Sequence, residues 1–147
     1  MSLKERLQED WKLAMKSKDS FKSGVLSMAR AAILYSEKND GKALDDDQVI
    51  AVISKEVKQR RESIVEFKKG NRPDLVEQTN KEIEILLDYL PQQLTEEEIM
   101  EIVKAAVIEV GANSIKDMGK VMAYVQPKVR GKADSKTVSH MVKQQLM

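Results

Sequence analysis

From Val49 to Phe67 the apolar residues Val49/Ile50, Ile53, Val57, Ile64 and Phe67 fall three, four or seven positions apart, the spacing that lines one face of an α-helix. The same period returns along almost the whole chain, and no stretch of useful length alternates apolar and polar residues with period two. A chain that can bury its apolar residues only along helical stripes must pack helix on helix, which predicts an all-α fold without a sheet. Composition agrees, with only six glycines and three prolines in 147 residues to interrupt helices.

The interruptions divide the helices. Ser2 with Glu5 makes a capping-box pattern ahead of Leu3, Leu7, Trp11 and Ala14/Met15, so a first helix runs to about Lys16. Phe21, Val25, Met28/Ala29 and Ile33 predict a second, closed before Asn39-Asp40-Gly41. The third starts behind Asp45 to Asp47 and stops at Gly70, and the fourth begins at Pro73 and carries Leu75, Ile83, Leu86/Leu87 and Leu90 until Pro91 ends it. Thr95 to Glu98 is a fresh capping box directly after the proline, which sets a boundary there: a bundle of about four helices over residues 1–91, then a small three-helix domain over 92–147. The connection Leu90 to Leu94 holds a proline and no glycine and predicts a limited hinge. In the small domain, helices are expected behind Thr95, from Ser114, and behind Asp134, the last with Val138, Met141/Val142 and Leu146 inward.

Charge is balanced overall, 25 basic side chains against 24 acidic, but not along the chain. Residues 1–90 are neutral, residues 91–110 hold Glu96, Glu97, Glu98, Glu101 and Glu109 against Lys104, and residues 111–147 hold Lys116, Lys120, Lys128, Arg130, Lys132, Lys136 and Lys143 against Asp117 and Asp134. Lysines often simply solvate a small domain's surface. Lys128-Val129-Arg130-Gly131-Lys132 admits a second reading, a loop bounded by Pro127 and a helix N-cap that offers cations and free backbone N–H groups to phosphates. Lys58, Arg60 and Arg61 form another basic cluster, beside Glu56 and Glu62, and are read as surface packing with an accessory phosphate contact as the alternative.

Catalytic sets are missing. The chain has no cysteine and one histidine, His140, so thiol nucleophiles and His-based metal sites are excluded, and the Asn39 to Asp47 acidic run does not fit a calcium-loop template. No cofactor is expected. No run approaches the ~18 apolar residues of a membrane span, and MSLKERLQEDWK is charged from residue 4 onward, which with the missing cysteines suggests a cytoplasmic protein.

The segments ISKEVKQRRESIVEFKKGNRPDLVEQTNKEIEILLDYLPQQLTEEEI and VGANSIKDMGKVMAYVQPKVRGKAD resemble the YqeY family over nearly the whole chain. That family is related to the C-terminal tail of the B subunit of the glutamyl-tRNA(Gln) and aspartyl-tRNA(Asn) amidotransferase and to an appendage of some glutaminyl-tRNA synthetases. The resemblance implies a helical bundle followed by a three-helix tail-type domain that binds tRNA, with amide-transfer chemistry left to an amidotransferase component or synthetase as partner. Carried over by motif, Met118-Gly119-Lys120-Val121-Met122 and Gly131-Lys132-Ala133-Asp134 fall on the signature of the small domain. Gly119 is then expected to permit close helix packing or close approach by a partner's backbone, with Lys120 and Lys132 as charged members. Ala123 and Ser135 depart from the small glycine-like positions of the pattern, and Phe21 and Gly24 from a more basic second helix. A helical module that docks on another enzyme is the alternative function, and an amidotransferase-like enzyme a distant third.

Overall fold

The structure, a computed structural model, describes residues 1–147 and contains seven α-helices and no strand. The chain divides into two compact units, Met1–Pro91 and Gln92–Met147.

The first unit holds α1 (Leu3–Lys16), α2 (Ser20–Asp40), α3 (Asp46–Lys69) and α4 (Pro73–Leu87). Helix α1 packs along α2 and α3 along α4, while α2 also touches α3 and α4. Each helix starts where local chemistry satisfies its first amides. The Ser2 hydroxyl accepts from the Glu5 N–H, Asp45 and Gln48 close a reciprocal capping box, and Pro73 occupies the first turn of α4, where a missing N–H costs nothing. Gly41 ends α2 with φ +72°, donating its N–H to the Glu37 carbonyl at 2.8 Å. Leu7, Leu26, Ile33, Val49, Ile53 and Leu86 are fully buried between the helices, each contributing about 1.5–3 kcal/mol by leaving water. Trp11 packs against this core and donates to Ser27 Oγ, in keeping with its core assignment. Phe21, Met28 and Met15, assigned to apolar faces, are exposed instead because Val25, Ala29 and Ala14 take the inward positions beside them.

Two long-range contacts tie α1 down. Tyr89, which the apolar pattern of α4 passed over, is buried and donates its hydroxyl to Asp10 at 2.6 Å, while Arg6 lies over its ring at 4.7 Å and pairs with Asp88. Burial first, and the neighbouring Asp10 carboxylate second, push the Tyr89 phenol well above its usual range, so it remains a donor. In the first turn of α1, Lys4 Nζ reaches Glu37 at 2.6 Å, and the same carboxylate oxygen accepts the Leu44 N–H at 2.9 Å. These bonds, Lys4 first, hold the Glu37 carboxyl below the usual carboxylate range. A carboxyl depressed in the folded state stabilises fully above its unfolded pKa, and that stabilisation is lost as pH falls through the folded value. Glu37→Gln is therefore expected to destabilise the first unit at neutral pH and to flatten the acid limb of its stability below about pH 4.5, the region where unperturbed Glu titrates. Urea midpoints measured from pH 3 to 7 check this, and parallel curves for the two proteins would refute it.

The second unit holds α5 (Glu96–Glu109), a 3₁₀ turn (Ile115–Asp117), α6 (Met118–Val129) and α7 (Ser135–Leu146). Val103, Val121, Val125, Val138 and Val142 form its fully buried centre. The helix expected from Ser114 begins as the 3₁₀ turn and becomes α-helical only at Met118. The larger correction concerns Pro127. Helix α6 runs through it to Val129, because Val125 and Val129 are both buried and the chain keeps helical geometry to place them.

Candidate nucleic-acid interface

The seven cations of the last 37 residues come from three places in the small unit. Lys116 sits on the 3₁₀ turn and Lys120 in the first turn of α6. Lys128 lies in the last turn of α6, Arg130 and Lys132 in the turn that follows, and Lys136 and Lys143 at the two ends of α7. All seven are exposed, and none lies within 4 Å of a carboxylate. Every ion pair of the protein belongs to the first unit, from Lys4–Glu37 to Lys81–Glu77.

The local acids explain why. Asp117 accepts the Asn113 N–H at 2.9 Å, and that bond, ahead of the nearby Lys120 charge, holds its carboxyl below the usual range. Asp134 caps α7 by accepting from Lys136 N at 3.3 Å. Glu98 closes the capping box of α5 with Thr95. Both carboxylates of the segment thus satisfy backbone amides and leave the side-chain cations uncompensated.

Helical spacing arranges these cations further. On α7, Lys136, His140 and Lys143 share the exposed face opposite Val138, Met141 and Val142, so the single histidine lies on the surface. On α6, Lys120, Tyr124 and Lys128 follow one another at four-residue intervals along one flank. The Lys128 ammonium stands 4.5 Å from the Tyr124 ring centroid and donates to the Tyr124 hydroxyl at 3.4 Å. Tyr124 is half-buried against the core of this unit, and it was overlooked in the sequence although its spacing from both lysines was visible there.

Three expectations change. Lys128 is carried on a helix, not in a loop, so the loop proper is Arg130 to Ala133. Its backbone is largely engaged: Lys132 N and Ala133 N both donate to the Val129 carbonyl, Leu94 N donates to the Lys132 carbonyl, and Gln93 Nε2 to that of Gly131. Gly131 adopts φ +73°, which is the reason for glycine there. Gly119 does not serve helix packing, since a methyl group built on it would meet nothing within 4 Å; its exposed position leaves approach from outside the chain. In the first unit Lys58 is exposed and Arg61 half-buried, whereas Arg60 is buried and bonded to Glu56, which removes it from any phosphate-facing surface.

No three His, Cys, Asp or Glu side chains come together to hold a metal ion, and no helix is long and apolar enough to cross a membrane. The arrangement is that of an all-helical protein whose residues 111–147 carry seven exposed, unpaired cations against two carboxylates. The chain belongs to the YqeY family, described as Yqey-like protein, which matches residues 4–146. It is similar to proteins named Altered inheritance of mitochondria protein 41, mitochondrial. With that of Pyrenophora tritici-repentis it shares 33% identity over 144 residues, covering 95% of this chain and 78% of the relative. With that of Kluyveromyces lactis the identity is 36% over 140 residues, 90% of this chain and 69% of the relative. With that of Lachancea thermotolerans it is 40% over 87 residues, 58% and 46%.

These relatives are named as mitochondrial, which overturns the cytoplasmic expectation. The features behind that expectation, absent cysteines and a charged N-terminal dozen, do not separate the cytosol from the interior of an organelle.

Proposed function

We propose that this YqeY-family chain is a non-catalytic tRNA-binding module that serves tRNA-dependent amide transfer or aminoacylation, the chemistry residing in an amidotransferase or synthetase partner. The observation that carries the reading is the charge segregation: residues 1–90 are neutral and hold every ion pair of the protein, while the seven cations of residues 111–147 face solvent unpaired against only two carboxylates. A polyanion with regularly spaced phosphates is the ligand such a surface fits. A-form RNA hides its base edges in a deep major groove, so helical side chains meet phosphates and overall shape, and an aromatic ring such as Tyr124 adds a stacking surface for an unpaired base.

The test is anisotropy of fluorescently labelled tRNA titrated with the full chain at several salt concentrations. With about four phosphates neutralised, log affinity is expected to fall against log salt with a slope of about −3 to −4. Absence of binding, or binding indifferent to salt, would reject the proposal.

A further inference from the structure

The buried Arg60 touches a side chain that can change chemically. Only 8% exposed, Arg60 directs Nη1 to the Glu56 carbonyl at 3.1 Å and to Glu56 Oε1 at 3.2 Å. Its Nε has no hydrogen-bond partner, and Nη2 is directed at the sulfur of Met28 on α2, 3.8 Å away. A thioether is a weak acceptor, so the α2 side of this guanidinium is poorly satisfied. Met28 itself is 52% exposed, leaving it accessible to small solutes.

We propose that Met28 is an oxidation site for hydrogen peroxide, and that Arg60 holds the sulfoxide it forms. A sulfur lone pair attacks one peroxide oxygen, and the S–O bond forms as the O–O bond breaks. The proton on the attacked oxygen passes to the departing hydroxide, which leaves as water. Sulfur loses two electrons and the peroxide is reduced. The new oxygen is a strong acceptor one bond from a sulfur already beside Nη2, so the epimer that points it at Arg60 replaces a weak N–H···S contact with a charge-assisted hydrogen bond. Methionine oxidation ordinarily disrupts packing by placing a polar oxygen in apolar surroundings. Here half of the side chain already faces solvent and the other half meets an unsatisfied cation, so the sign reverses and oxidation tightens the α2–α3 seam.

The full chain is treated with dilute hydrogen peroxide, each methionine is followed by peptide mass mapping, and melting is compared with that of a Met28→Leu variant. The wild type is expected to gain about 2–4 °C on oxidation relative to Met28→Leu. Met1, Met15 and Met147, all more than half exposed, oxidise in both proteins and cancel. Met28→Gln, which supplies an amide oxygen permanently, is expected to melt above Met28→Leu by a similar margin without peroxide. The proposal is overturned if Met28 stays reduced while Met15 oxidises, if its oxidation lowers or does not move the melting temperature, or if Gln is no better than Leu.

Discussion

Arg60→Ala is expected to lower the melting transition of the first unit by about 12 °C or more, from a loss of about 3 kcal/mol and the usual sensitivity of a domain this size. The cost comes less from the bond removed than from the group left behind. Glu56, whose side chain is only 18% exposed, would lose the guanidinium at 3.2 Å that compensates its charge, and the space vacated lies beside Met28 at the edge of the core. The pair lies at the stability-critical end of the range for ion pairs, since breaking one buried partner is far more costly than replacing both. Arg60→Met with Glu56→Gln, which keeps the volume and removes both charges, is accordingly expected to recover most of the loss. Lys58→Gln, at a neighbouring position turned to solvent, should stay within about 0.5 kcal/mol, and Arg61→Gln, half-buried but without an ion pair, should cost well below the Arg60→Ala loss. Calorimetry of the four variants checks the ordering. An Arg60→Ala protein that melts with the parent would return this residue to the exposed basic cluster in which the sequence alone placed it.

That misplacement shows what a linear reading retains and what it loses. Helix starts were legible because capping is local: Ser2, Asp45, Thr95 and Asp134 each satisfy amides two or three residues downstream, and the chain spells this out. The inward faces were legible where apolar residues alone mark them, as with Val138, Met141, Val142 and Leu146. Arg60 was not legible as buried because a charged side chain does not register in an apolar pattern. It follows Ile53 by seven and Val57 by three, which sets it on the buried face of α3. Tyr89 failed similarly, three residues beyond Leu86 and on the same face. Pro127 failed for a different reason. As punctuation it predicts a break, but a helix's last turn can carry it when the residues on either side are held by burial, and Val125 and Val129 are. Whether a cation is neutralised was legible nowhere, because it depends on which carboxylates fold back onto backbone amides, as Asp117 and Asp134 do.

For the cluster that stays unpaired, replacing Lys128, Arg130 and Lys132 together by Gln is expected to flatten the salt dependence of tRNA binding by about 2 to 3 units of log–log slope, each lost phosphate contact contributing up to about one. Between about 50 and 200 mM salt the parent should then lose affinity roughly 100-fold, and the variant only about 4-fold. The three residues can be exchanged without dismantling the unit, because the turn is held by backbone bonds to Val129, Leu94 and Gln93 that Gln leaves in place. Lys128 alone carries a stability cost, since its ammonium stacks on Tyr124 and sits in the last turn of α6; losing both effects removes up to about 1 kcal/mol. A melting curve on the same preparation separates that cost from binding. The control, Lys58→Gln with Arg61→Gln, removes one exposed and one half-buried cation from the first unit and should leave the slope where it was. If the control flattens the slope as strongly as the triple variant, binding follows total charge and the small unit has no special part in it. If the triple variant keeps the parent's slope, phosphates do not meet these side chains at all, and the positive charge of residues 111–147 returns to being a solvated surface.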